Sequence, residues 1–271
     1  MTTSAITSEV TALIRASGRA GGPGSCARAP QLPSPIEAAR PSDLVFGDVL
    51  YEPGQPIRDV YFPTQSLVSL LTLVEGHLAL EVGLVGREGM VGIPLALGVE
   101  VSPVRALVQG AGPALKMNAA RFRTELRRSP PLQRELDCYI HALMAQISQT
   151  AACNRFHVVE ARLARWLLMT RDRVRSAEFR MTHEFLSHML GVRRVGVTEA
   201  ASALQRQKLI EHSRGNIRIL DDRGLEAVCC SCYEIVKDMH DAVPLRSLGA
   251  FAQRAAWAVS TSATQAVRRL T

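Results

Sequence analysis

The spacing of apolar residues changes character twice along this chain. Between Leu44 and Met117 they come in short runs: Asp48–Tyr51, Asp59–Phe62, Leu67–Val74, Leu78–Val85, Val104–Gln109 and Ala114–Met117. Gly and Pro punctuate them, at Glu52-Pro-Gly-Gln55 and at Gly76, which marks a hairpin tip. Six or seven strands at regular turn spacing predict an antiparallel barrel or jelly roll. From Asn118 the period turns helical. Asn118 caps a short helix to Arg127. After Pro130-Pro131, Leu136, Ile140, Leu143, Ile147 and Thr150 step by four and three, a heptad-like seam. Phe156–Val174 predicts a further helix, with Leu163, Trp166 and Leu167 inward and Arg162, Arg165 and Arg171 outward.

Residues 180–220 carry the most specific pattern. Thr182 N-caps a short helix whose apolar stripe is Phe185, Leu186, Met189 and Leu190. Gly191 permits a sharp turn because it tolerates a positive φ. A second helix follows, with Val192, Val197, Ala201 and Leu204 inward and Arg193, Arg194 and Thr198 outward. Leu209-Ile210 and Ile217–Leu220 then flank a Gly-Asn tip between Arg214 and Arg218, which reads as a basic wing. Two helices alone would fit an ordinary αα-corner. The exposed basic helix start and the wing together favour a winged helix-turn-helix and double-stranded DNA as partner. The candidate DNA-contacting residues are Thr182, Arg193, Arg194, Val197, Thr198 and Arg214. The seam Leu136, Ile140, Leu143, Ile147 either packs on its own barrel or joins two chains. The homodimer is preferred, because paired half-sites require a protein two-fold.

The charge distribution agrees with this. The chain of 271 residues has a net charge of +7, and residues 155–223 hold 14 basic and 8 acidic side chains. Residues 41–154 hold 9 and 11. A polyanion partner therefore suits the later segment and not the barrel. No apolar run reaches the roughly 18–20 residues of a membrane span. Residues 1–40, rich in Ala, Gly, Ser and Pro, lack the features of a secretory signal, so a cytoplasmic location is expected. They read as a mobile arm with a short helix over Ser8–Arg15, and the Ala- and Ser-rich tail after Val243 as a weakly docked helix.

The order of barrel, long helix and winged helix-turn-helix resembles the Crp/Fnr family of bacterial transcription regulators. The resemblance spans roughly residues 41–240 and is most specific from Thr182 to Asp221. It implies an α+β chain: an arm (1–40), a cyclic-nucleotide-binding-like barrel that senses an effector (41–129), and a dimerisation helix (130–156). A DNA-binding domain (157–243) and a tail (244–271) complete it. RNA polymerase is a further partner of such regulators. The family's recognition helix typically begins Arg-Glu, with a second Arg four residues after that Glu. Here Arg194 aligns with the first Arg, Val195 replaces the Glu and Glu199 stands at the later Arg position. Arg194 is expected to read a base, and Arg193 to hold a phosphate. The nucleotide cassette is altered too. Gly86-Arg-Glu-Gly89 replaces Gly-Glu-x-Gly, and Arg105 lies one position from the phosphate-binding Arg, which in a strand turns it to the other face. Arg87, Glu88, Gly89 and Arg105 remain the candidate effector residues, for an effector other than a cyclic nucleotide. An architectural protein whose barrel senses nothing is the alternative.

No cofactor and no metal site is expected. The six cysteines are scattered apart from Cys229, Cys230 and Cys232, and a disulfide framework is not expected in the cytoplasm. With Cys26 alone in the arm, a four-thiolate iron–sulfur cluster of the family's type is excluded, and His77 is a poor haem ligand beside Gly76. Cys229-Cys-Ser-Cys232 has a Cys-x-x-Cys spacing, yet no second pair or His lies nearby in sequence to complete a zinc site. Buried small residues in a terminal helix are the preferred reading. A cupin-type enzyme would need several His and carboxylates in the barrel, where His77 stands alone, and no catalytic motif is present.

Overall fold

The computed structural model describes residues 39–74, 78–174, 176–213 and 215–242. Cys26, Gly76, His77, Arg214, the arm helix and the tail lie outside them. Strands β1 (Arg40–Leu44), β7 (Gly112–Asn118) and β3 (Asp59–Pro63) form one antiparallel sheet in the order β1-β7-β3. Strands β2 (Val49–Tyr51), β6 (Arg105–Gly110), β4 (Leu67–Val74) and β5 (Leu78–Val85) form the second, in the order β2-β6-β4-β5. Alternation along each strand sends Val60, Phe62, Val68, Val85, Ala106, Val108 and Leu115 into the space between the sheets. Strand β1 was not foreseen. Its sequence, Arg-Pro-Ser-Asp-Leu, is largely exposed and has no apolar alternation, and its Pro41 is tolerated because β1 is a sheet edge.

Helices α1 (Ala119–Arg128), α2 (Pro130–Phe156) and α3 (Val159–Val174) follow. The seam on α2 divides differently from its expected dimer role. Leu136 and Leu143 are buried with Tyr139 in the chain's own barrel core, whereas Ile140 and Ile147 are half-buried and Met144 is 62% exposed. The barrel takes the inner part of the stripe, so Leu136 and Leu143 are not available to a second chain.

Helix α3 departs further from expectation. Arg162 and Arg165, placed outward by the simple amphipathic reading, are buried, and Arg171 is half-buried. The helix sits in a second core bounded on one side by Leu67, Leu71 and Leu84 from the outer barrel face, and on the other by the helix-turn-helix residues. With apolar surface on both sides, the guanidinium groups reach internal acceptors. Arg162 donates to Asn154 Oδ1 (2.8 Å) and to the Leu190 carbonyl, and Arg165 to Thr150 Oγ1 (3.3 Å). Arg171 pairs with Asp172, Asp222 and Glu226. Arg173 pairs with Glu88 at 2.7 Å and donates to Gln146 Oε1 at 2.8 Å, tying barrel, α3 and α2 together.

Glu81 lies in the same junction. Its carboxylate accepts from Ser69 Oγ (2.6 Å) and Trp166 Nε1 (2.9 Å), and burial pushes its pKa up to about 7 in spite of these donors. The folded-state value exceeds that of the unfolded chain, so the folded protein keeps a proton that the unfolded chain has lost. The associated stability is fully present below about pH 4.5 and is lost as pH rises towards 7. Glu81→Gln should therefore flatten the pH dependence, adding on the order of 2–3 kcal/mol at alkaline pH and little in acid. Urea unfolding of both proteins across this range checks it; parallel pH profiles would contradict the assignment.

Candidate nucleic-acid interface

The third sheet, β8 (Glu178–Arg180), β10 (Asn216–Ile219) and β9 (Ile210–Ser213) in the order β8-β10-β9, frames a pair of short helices. Helix α4 spans His183–Leu190 and α5 spans Arg194–Arg206. Thr182 caps α4, its Oγ1 accepting from the Phe185 N–H at 3.1 Å. Gly191 ends α4 at φ 59°, and a Cβ at that position would lie 2.6 Å from Leu80 Cδ1 of β5. The turn thus needs glycine for its backbone angle and again for its approach to the barrel. Phe185 also meets Phe46 of the barrel, ring centroids 5.9 Å apart.

Helix α5 buries Val197, Ala200, Ala201 and Leu204, at the i, i+3, i+4, i+7 spacing of an inner face. Its other face presents Arg194, Val195, Thr198, Glu199 and Ser202, all exposed, with Arg193 exposed just before it. Arg193 occupies the N-cap position, where no side chain accepts from the first amides. The N-terminus of α5 therefore offers two cations together with the positive end of its dipole, an arrangement suited to an anion. One of the expected contact residues takes another position. Val197 is fully buried against α4 and α3, because it lies on the inner stripe, so it cannot touch a groove. The exposed apolar side chain at the helix start is Val195, 60% exposed.

A histidine pair went unforeseen. His183 Nδ1 lies 2.9 Å from Thr198 Oγ1, and its ring stacks on His212 of β9 at 4.1 Å. This links α4, α5 and the wing. Burial, then His212 and Arg194, lower the His183 pKa, and burial lowers that of His212. Only the tertiary fold brings the three residues together. In the wing, Gly215 turns the chain at φ 80°, and Arg218 pairs with Glu178 of β8 at 3.4 Å.

The expected effector residues do not assemble into one site. Glu88 accepts from Gly86 N–H (3.1 Å) and from Arg173; burial opposes its ionisation, but the Arg173 guanidinium overrides it and holds the pKa low. Gly89 lies under the Tyr139 ring, within 2.1 Å of where a Cβ would stand, and so serves the packing of α2. Arg105 shares the outer barrel face with Leu107 and pairs with Glu52 at 2.9 Å, while Ala106 and Val108 point inward. A cavity of about 460 Å³ includes Arg87 and Glu88 but neither Gly89 nor Arg105; α3 and helix α7 (Cys232–Ala242) supply most of its other residues. At its edge, burial and then Arg173 lower the His240 pKa to about 4.

A metal-capable group also forms, contrary to expectation. Cys153 and His157 at the end of α2 meet Cys230 and Cys232, after helix α6 (Asp222–Val228), with all four ligand atoms within 4.8 Å of one another. The spacing gave no hint, because the two halves lie more than seventy positions apart in sequence.

Residues 161–228 match the family model of the Crp-like helix-turn-helix domain. Among curated proteins no significant match is found. Solved structures of similar fold include FixK2 from Bradyrhizobium japonicum, at 13% identity and a TM-score of 0.61, covering 71% of this chain and 98% of that one. TTHA1359, a CRP/FNR family transcriptional regulator from Thermus thermophilus, is 22% identical with a TM-score of 0.58, over 70% and 97% of the two chains. The c-di-GMP responsive regulator CLP from Xanthomonas campestris is 15% identical with a TM-score of 0.57, over 69% and 96%. Residues 161–228 thus match a Crp-like helix-turn-helix domain, and the chain shares the fold of these regulators through its barrel and long helix.

Proposed function

We propose that this protein is a cytoplasmic, homodimeric regulator, without catalytic activity, that reads an inverted-repeat DNA site through helix α5. The observation that carries the reading is the outer face of α5. Its inner stripe is fully used in packing, yet Arg193, Arg194, Val195 and Thr198 stay exposed at the N-terminal end, the part of a recognition helix that meets base edges. Arg194 reads a guanine, Val195 touches a thymine methyl, and Arg193 holds a phosphate. Thr182 and Thr198 lie close by as a cap and a histidine partner. Arg214 in the wing is a further phosphate contact. RNA polymerase is the partner through which such a regulator acts on transcription.

The effector is not a cyclic nucleotide in this reading, because Arg105 stands on the outer barrel face in a pair with Glu52. Constitutive binding without any effector is the second reading. It is favoured by the separate contacts of Glu88, Gly89 and Arg105, which pair with Arg173, pack on Tyr139 and pair with Glu52. Dimerisation falls to the outer side of α2, where Ile140, Met144 and Ile147 line up.

Selection from random duplex DNA, without added ligand, should enrich an inverted repeat with half-sites about one helical turn apart. Sequence-blind, salt-labile binding would contradict the reading. Arg194→Ala should lower discrimination at one base pair of each half-site by about 1–3 kcal/mol; competition with operator variants measures this, and full discrimination in the mutant would refute the assigned register.

The two valines separate surface from core. Val197→Ala should destabilise the chain by about 2 kcal/mol, and Val195→Ala by less than about 0.5 kcal/mol while altering base preference. Denaturant melts and the same competition assay check both; the opposite pattern would place Val197 on the DNA. For the dimer, Met144→Glu should raise the dissociation constant seen by sedimentation while leaving the fold intact, and an unchanged dimer would move the interface elsewhere.

A further inference from the structure

The four residues Cys153, His157, Cys230 and Cys232 belong to none of the machinery above. Cys153 and His157 are one helical turn apart, so both project from the same side of α2, and His157 closes that helix with its N–H on the Cys153 carbonyl. Cys232 opens α7, and Cys230 stands two residues before it. Three of the four are buried, and Cys229, whose Sγ donates to the Glu226 carbonyl, is not among them.

We propose that Cys153, His157, Cys230 and Cys232 form a closed, tetrahedral Zn²⁺ site that fastens the end of α2 to the start of α7. The spacings match a single ion. With Zn–S near 2.3 Å and Zn–N near 2.0–2.1 Å, tetrahedral geometry puts two sulfurs about 3.8 Å apart and a sulfur and a nitrogen about 3.6 Å apart. Here Cys153 Sγ and Cys230 Sγ are 3.5 Å apart, and Cys232 Sγ and His157 Nδ1 are 3.4 Å apart. Three thiolates and one imidazole form a known structural zinc set, and a buried site with four protein ligands leaves no open position for catalysis.

Two neighbours support an anionic centre. Gln149 Nε2 donates to Cys232 Sγ at 3.0 Å, a hydrogen bond to a ligand sulfur. Arg162 is buried, makes no carboxylate pair among the described residues, and leaves its Nε without an acceptor. Cys153 and Cys230 lie close enough to act on its charge. Beside neutral thiols it would be a buried, uncompensated cation, which is costly. Beside three thiolates around Zn²⁺, a centre of net charge −1, it becomes the counter-ion.

The site joins the long helix to the last helix of the DNA-binding domain and so fixes the angle between them. It stands independently of the DNA-reading assignment. The test uses the full chain, expressed with zinc and purified anaerobically with a reductant. Elemental analysis should find one zinc per chain in the wild type and in Cys229→Ser, and a loss of zinc in Cys232→Ser and His157→Ala. Should those variants fail to fold, Co²⁺ titrated into the metal-depleted wild type decides. Thiolate-to-cobalt charge-transfer bands with tetrahedral d–d absorption, saturating at one equivalent and displaced by Zn²⁺, support the site. Absence of both zinc and these bands would overturn it, as would a Cys153–Cys230 disulfide in the reduced preparation.

Discussion

Helix α3 is buried on both sides, and this constraint organises the rest of the molecule. It lies between the outer barrel face at Leu67, Leu71 and Leu84 and the helix-turn-helix core at Leu186, Val197 and Leu204. A helix so placed cannot leave its arginines unpartnered, because a buried, unpaired guanidinium costs several kcal/mol. Each therefore makes a bond that also fixes a neighbour. Arg173 holds the barrel turn through Glu88 and the long helix through Gln146, Arg171 holds α6 and α7 through Asp222 and Tyr233, and Arg162 holds the end of α4 through Leu190. Barrel and helix-turn-helix are consequently joined through a shared core and are not two beads on a linker.

That junction bears on how the barrel can influence DNA. The polar contacts Glu88–Arg173 and Glu81–Trp166 both cross from barrel to α3, and the Gly191 turn rests on Leu80 of β5. A change in the barrel would reach α5 through these contacts, and any ligand acts only as far as it prefers one arrangement over another. The same packing reduces the charge available to DNA. Arg162, Arg165 and Arg173 count towards the basic total of residues 155–223 but are buried, so the exposed positive charge of this segment is smaller than composition implies.

Much of the fold was legible because strands and helices keep distinct periods. Leu67–Val74 and Leu78–Val85 follow the strand pattern, and Gly191 and Thr182 mark the helix-turn-helix ends. What failed were assignments of facing made from one helix alone. Arg162 and Arg165 look like solvent positions on a wheel, and Leu136 and Leu143 like a dimer seam; in each case a second packing surface, invisible locally, took the residue. Val197 was misplaced as a DNA contact although its own stripe is apolar, and Val195, two residues earlier, carries the exposed role. The His183–Thr198–His212 group and the Cys153–His157–Cys230–Cys232 group depend on long-range approach, for which a single sequence holds no signal.

Methylation interference on the selected duplex would test the central claim, that α5 reads bases from the major groove, most directly. Methylation of guanine N7 places a methyl group where Arg194 is assigned to donate. The account predicts that methylation at one guanine in each half-site, the two on the same face of the duplex, abolishes binding. Binding insensitive to guanine N7 methylation throughout the site, or blocked only by minor-groove methylation of adenine, would contradict it.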